Sequence, residues 1–239
     1  MDVVASLYGR NSLLDIVSRT SAEIFIPLTV GGGLRTIDDI RAALRAGADK
    51  VSLNTAAIAD PRLISEAARL FGSSTIVVSI EAIRLDGGSY EAYTENGRQA
   101  TGKDAVEWAR QAAKLGAGEL LVTAIARDGS GSGFDLELVR RIAACCPVPV
   151  VAAGGAGSVN HVVQVVEAGA DAVCIGSILH YEAIRHWPAE HDRAREGNFE
   201  YLRGAGTSTS PVRPSTILEI KMRLAEAGIA CRPAKVSGG

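Results

Sequence analysis

Residues 26–57 read IPLTVGGGLRTIDDIRAALRAGADKVSLNTAA, and residues 148–179 read VPVVAAGGAGSVNHVVQVVEAGADAVCIGSIL. The two align without a gap. Each runs through a proline, an apolar stretch, paired glycines, an amphipathic stretch, Ala-Gly-Ala-Asp and a second apolar stretch. Pro27 falls on Pro149, Gly32 and Gly33 on Gly154 and Gly155, Asp49 on Asp171, and Asn54-Thr55 on Gly176-Ser177. A constant offset over two strand–helix units implies a fold made of similar halves. The simplest such fold is a (β/α)8 TIM barrel with a pseudo-two-fold axis. An open doubly wound sheet is the alternative.

The same alternation extends along the chain. β-branched runs at 25–30, 50–53, 75–80, 119–124, 149–152 and 172–175 read as strands. Amphipathic stretches at 37–46, 61–71, 103–115, 136–144 and 159–168 read as the intervening helices. Three helices run into a Gly-Ala turn, at Gly47, Gly116 and Gly169, where glycine supplies a left-handed cap before the next strand. Residues 187–213 are polar and rich in Gly, Ser, Thr and Pro, so they read as a surface excursion. Residues 214–228 read as a closing helix, and the last few residues as a frayed end. The whole chain, 1–239, is expected to form one domain.

Composition narrows the function. Hydrophobic residues make up 47% and charged residues 22% of the chain, which argues for a globular protein over a disordered one. A formal net charge of −2 gives no bulk attraction to nucleic acid or to an acidic membrane. No apolar run reaches membrane length, and no basic stretch followed by an apolar core opens the chain, so the cytoplasm is expected. The cysteines (Cys145, Cys146, Cys174, Cys231) lack metal-like spacing and read as small buried hydrophobes. The histidines (His161, His180, His186, His191) cluster with nothing and read as surface residues. Neither a cofactor nor a metal is expected.

In a parallel barrel the chemistry sits where strands end and helices begin. Gly31-Gly32-Gly33 and Gly154-Gly155-Ala156-Gly157 occupy such positions, where small residues let backbone amides approach an oxyanion. Asn54-Thr55 and Gly176-Ser177 add donors one strand later, completing two phosphate cups. Glycine also serves plain tight turns, but the device occurs twice at symmetric positions. Two cups at one mouth imply a long substrate with a phosphate at each end. A third loop, residues 127–133, is glycine- and serine-rich and reads as a lid or as further amides for one cup. Glu81, after an apolar strand, is the candidate general acid or base, the alternative being a solvated rim residue.

The runs PLTVGGG (27–33), ADKVSLNTAA (48–57), Arg127-Asp128-Gly129 and AGGAG (153–157) closely resemble the HisF family, the cyclase subunits of imidazole glycerol phosphate synthase. The resemblance covers nearly the whole chain. It implies a duplicated half-barrel and a bisphosphorylated ribulosyl aminoimidazole carboxamide nucleotide as substrate. Ammonia from a HisH-like glutaminase partner would travel through the barrel and attack it, giving imidazole glycerol phosphate and the carboxamide ribotide AICAR. By motif, Gly33, Asn54, Thr55, Asp128 and Gly129 would hold one phosphate, and Gly155, Gly176 and Ser177 the other. Asp49 would lie on the face that docks the glutaminase. Lys50 and Glu119 match two of the charged residues that gate the ammonia entrance.

Three departures accompany the resemblance. The family opens with a strand and an Asp-x-x-x-Gly-x-x-x-Lys-Gly loop that supplies a catalytic aspartate and lysine, and nothing here matches it. Residues 1–6 (MDVVAS) instead resemble the family's second strand, so the barrel is expected to lack its first strand–helix unit and most of its second strand, roughly fifty residues. The aspartate expected at the fifth strand is Glu81, and the first aspartate of the Asp-Arg-Asp-Gly run is Ala126, with Ala153 in place of a serine. These changes raise an alternative, and the polar excursion with the stretch at 196–202 is similar to a HisF-like paralogue group. Members of that group pass ammonia to a separate amidotransferase in bacterial surface-sugar amidation. Cyclase, ammonia conduit and non-catalytic phosphate binder are the three readings the sequence supports.

Overall fold

A computed structural model describes residues 14–186 and 211–233. The segment resembling the family's second strand, most of the polar excursion and the stretch at 196–202 lie outside them. A first helix, α1 (Leu14–Glu23), leads into β1 (Thr29–Gly31), α2 (Ile37–Arg45), β2 (Lys50–Leu53), α3 (Thr55–Ala59), α4 (Arg62–Phe71) and β3 (Ile76–Arg84). A hairpin follows, β4 (Tyr90–Thr94) and β5 (Gln99–Asp104). Then come α5 (Ala105–Leu115), β6 (Glu119–Ala124), α6 (Leu136–Cys145), β7 (Val150–Ala153), α7 (Val159–Glu167), β8 (Ala172–Cys174), α8 (Ser177–Arg185) and α9 (Ile217–Glu226).

The sheet order is β1-β2-β3-β6-β7-β8, with every neighbouring pair on this path parallel. The order never reverses. A doubly wound sheet needs a reversal at its switch point, so the architecture is that of the (β/α)8 barrel, and the described residues supply six of its parallel strands. Helices α4 and α5 each turn an apolar stripe onto β3. In α4, Leu63, Ile64 and Ala67 are buried, and α5 buries Ala105, Trp108, Ala109 and Ala112. Truncating the fully buried Ile64 or Ile40 to alanine would cost about 2–5 kcal/mol.

Two strand expectations are corrected. The first strand starts at Thr29, not at residue 25: Phe25 is 99% and Ile26 61% exposed, and pairing with β2 begins at Thr29↔Lys50. β3 runs on past residue 80 to Arg84, because its last four residues pair antiparallel with the hairpin strand β4, beginning at Glu81↔Tyr93. The hairpin itself is absent from the sequence reading. Its signals are the Asn96-Gly97 turn and the alternation of buried Tyr90, Ala92 and Thr94 with half-buried Glu91 and Tyr93.

Among the described residues no helix is long and apolar enough to cross a membrane. Cys174 is exposed and the other three cysteines half-buried, so the expectation of fully buried cysteines fails. β8 has one strand neighbour among the described residues, β7, which leaves Cys174 uncovered.

Candidate functional site

The repeat is carried down to backbone angles and single hydrogen bonds. Gly32 and Gly33 have φ of +104° and +71°, and their counterparts Gly154 and Gly155 have +81° and +114°. Two successive residues in this region are open chiefly to glycine. Asn54 (φ −130°, ψ −87°) and Gly176 (φ −112°, ψ −73°) share one unusual conformation as they start α3 and α8. The Leu28 amide donates to Asp49 Oδ2 at 2.7 Å, and the matching Val150 amide donates to Asp171 Oδ2 at 2.9 Å. Asp49 is exposed, yet one of its oxygens is an internal clasp.

The first loop opens onto a cavity of about 370 Å³. Gly32, Gly33 and Arg35 line it on one side, Asn54 and Thr55 on another, and Ser52, Glu81, Glu95 and Asn96 also contribute. Among the described residues the Gly32 and Gly33 amides have no hydrogen-bond partner. The next turn is different: the Arg35 and Thr36 amides donate to Asp39 Oδ2, and Thr36 Oγ1 accepts the Asp39 amide. Anion-binding capacity therefore sits in the glycines rather than in the capped start of α2.

Glu81 stands at this cavity, and Asn54 Nδ2 donates to Tyr93 O at 3.2 Å beside it. Burial lifts the Glu81 carboxyl above its ordinary pKa. Hydrogen bonds from Gly97 and Asn54 pull it down, and the charges of Asp128 and Glu95 push it up further. Its Oε2 is buried without a partner. The hairpin tip roofs the cavity: the Glu95 amide donates to Thr55 Oγ1 at 3.1 Å, and Gly97 packs on Ile125. Ser52, Arg35, Glu95 and Asn96 were not anticipated from the sequence. The Asn-Gly turn is the signal for the last two, whereas nothing in the apolar pattern of β2 marks Ser52.

The second loop is built more tightly. A side chain at Gly155 would collide with the Gly133 carbonyl, whose own residue donates its amide to Gly155 O at 2.8 Å. Gly157 packs on Gly131, and its amide donates to His161 Nδ1 at 3.1 Å. Of the glycines expected to bind phosphate, Gly157 thus has its donor engaged inside the protein. His161, expected at the surface, is a half-buried cap of this loop. The third loop braces itself through Arg127, Ser130 and Ser132 and is stitched to the second, so it is not a free lid. Asp128 packs against Gly154 rather than lining the first cavity with Gly33. A side chain at Gly129 would meet open space. Arg213 donates its amide to Gly157 O at 2.7 Å, so the end of the polar excursion lies on this loop.

At the opposite end of the strands, Lys50 and Glu119 form an ion pair. The geometry is therefore a mouth with two glycine-built loops and the partly buried Glu81 carboxylate on the strand between them, and a charged pair at the base. A sequence model of the family described as histidine biosynthesis protein matches residues 1–185. The chain belongs to that family. Its HisF relatives are close. The imidazole glycerol phosphate synthase subunit HisF of Streptomyces avermitilis is 50% identical over 185 residues, 77% of this chain and 74% of that protein. The same subunit of Mycobacteroides abscessus is 47% identical over 203 residues, 82% of this chain and 79% of its own. That of Streptomyces coelicolor is 50% identical over 185 residues. In this HisF-family chain, the Gly32-Gly33 loop, Asn54-Thr55 and Glu81 converge on one cavity. Asp128, Gly154 and Gly155 form a second cluster, and Gly176-Ser177 repeat the Asn54-Thr55 backbone across the pseudo-axis.

Proposed function

We propose that the chain is the cyclase subunit of imidazole glycerol phosphate synthase in histidine biosynthesis. It would bind the bisphosphorylated ribulosyl aminoimidazole carboxamide nucleotide by one phosphate on the backbone amides of Gly32, Gly33, Asn54 and Thr55. The other would sit on Gly154, Gly155, Gly176 and Ser177, with Asp128 and Gly129 on the loop packed beside them. The observation that carries this reading is the matched pair of left-handed glycine loops, after β1 and β7, on either side of the strand β3 that carries Glu81. Paired anion sites select a substrate with a phosphate at each end and hold its middle against the carboxylate. Glu81, lifted by burial, is suited to moving a proton as ammonia attacks and the ring closes. Asp49, Lys50 and Glu119 lie at the far end, where a HisH-like glutaminase would dock and deliver ammonia. The products are imidazole glycerol phosphate and AICAR.

The test is turnover of the bisphosphorylated substrate with an ammonium salt, followed by substitution of glutaminase and glutamine for the salt. Turnover in both arms supports the assignment. Tight binding of the substrate without turnover overturns the cyclase reading.

A second reading, an ammonia conduit for surface-sugar amidation, is favoured by one observation. Glu81 opens the pairing of β3 with the hairpin strand β4, opposite Tyr93, which suits an anchor for the hairpin as well as an acid or base. It predicts stimulation of a glutaminase without consumption of the nucleotide.

A further inference from the structure

We propose that Ser52 is a ligand-binding residue that takes a hydroxyl or amino group of the bound phosphoester at the floor of the first cavity. The proposal rests on the reading of the Gly32-Gly33 loop as an anion site. Ser52 is the third residue of β2 and is 4% exposed, and it lines the cavity. Its neighbours Val51 and Leu53 are fully buried, as the alternation of a strand requires for the face packed on the helices. Ser52 therefore shares the inward face with Lys50 and Asn54.

Its Oγ has no hydrogen-bond partner, and neither has Asn54 Oδ1 or Glu81 Oε2. Buried polar atoms are rarely left unpaired, and an orphan hydroxyl is destabilising beside an alanine of the same packing. Three orphans around one cavity point to a ligand. Their chemistry says which part of it. Asn54 Nδ2 is held by Tyr93 O, so the amide offers the cavity its carbonyl oxygen. The carboxylate oxygen of Glu81 also accepts, and a serine hydroxyl can do either. Such a floor repels a phosphate oxygen and welcomes a donor.

The glycine loop at the rim has the opposite character, with the unpartnered Gly32 and Gly33 amides. A ligand that satisfies both ends carries its phosphate at the rim and a hydroxyl or amine on a neighbouring carbon at the floor.

Two dianions that differ in this respect separate the two ends: methyl phosphate, which has no such donor, and glycerol 3-phosphate, which has two hydroxyls. Calorimetric titration of the full chain should show glycerol 3-phosphate binding about three- to tenfold tighter, the worth of a neutral hydrogen bond. Ser52→Ala should erase that preference, leave methyl phosphate affinity unchanged, and leave the melting temperature unchanged or raised. Ser52→Thr, which keeps the hydroxyl, should retain the preference. If Ser52→Ala weakens both esters equally, or lowers the melting temperature with the preference intact, Ser52 is a packing residue and the proposal falls. Equal binding of both esters by the unaltered chain overturns the Ser52 assignment alone. Binding of neither overturns the anion site beneath it as well.

Discussion

Lys50 Nζ lies 2.5 Å from Glu119 Oε2, joining the first residues of β2 and β6 across the intervening β3. The side chains are 32% and 20% exposed, so the pair falls between surface and buried ion pairs. A double-mutant cycle with Lys50→Met and Glu119→Gln should give a coupling of about 1 kcal/mol in urea unfolding, weaker at high salt. Either single change should cost more than the double, because it strands one partly desolvated charge. Zero coupling would mean that the pair does not form in solution.

Glu81→Gln should separate stability from activity. A carboxyl whose folded pKa is raised contributes stability below its ordinary pKa and loses it as pH rises through the folded value. Above its ordinary pKa the carboxyl is therefore a cost to the fold that a neutral amide would not carry. The variant should melt roughly 1–4 °C higher at pH 7, with the gap closing near pH 4. Cyclase turnover, if Glu81 moves the proton, should drop on the order of a hundredfold or more.

The two loops contain glycines of different kinds. Gly155→Ala combines φ of +114° with a collision against the Gly133 carbonyl, and should destabilise by about 2–4 kcal/mol while weakening anion binding. Gly129→Ala has φ of +69° but open space around it, and should cost about 1 kcal/mol. Urea midpoints of the two variants give the comparison directly. Equal effects would contradict the packing of the third loop on the second.

Tyr90 Oη donates to Asp135 Oδ1 at 2.8 Å, and the same oxygen caps α6 by accepting the Leu138 amide. Burial first, then Asp135, pushes the phenol up to about 12. Tyr90→Phe should cost about 1 kcal/mol at neutral pH. Because the folded pKa is the higher one, that difference is fully present below pH 10 and should shrink between pH 10 and 12. Paired unfolding curves across this range check it. A constant difference would show that the phenol is not protonated by its surroundings.

The barrel was legible because its signals are local and repeated. Amphipathic helices ending in Gly47, Gly116 and Gly169 need no distant partner to be read, and these glycines have φ of +112°, +110° and +110°. The glycine loops were legible for the same reason. The hairpin was not. β5 is almost wholly exposed and carries no alternation, so the Asn96-Gly97 turn has an apolar pattern on one side only. Ser52 was invisible because one serine in an apolar strand has no pattern. His161 was misplaced because its partner, Gly157, is set by how α7 meets the loop. Cys174 was misread because burial on a strand depends on what lies beside it.

The hairpin is fastened unequally at its two ends, and this sets a timescale. Its base is clamped by Tyr90, 1% exposed and bonded to a carboxylate, with the Arg141 guanidinium over its ring. Its tip meets the cavity through neutral hydrogen bonds, from Glu95 to Thr55 and from Asn54 to Tyr93, beside the Glu81↔Tyr93 pair and the packing of Gly97 on Ile125. Glu95 and Asn96, at φ of +52° and +58°, carry a conformational cost of about 1 kcal/mol each that lifting the tip would relieve. The tip should open many times before the base does once. Each opening also frees the Asn54 side chain that Tyr93 holds in place. Exchange of a molecule at the cavity should then keep pace with the turn, because the roof and the Asn54 side chain are released together.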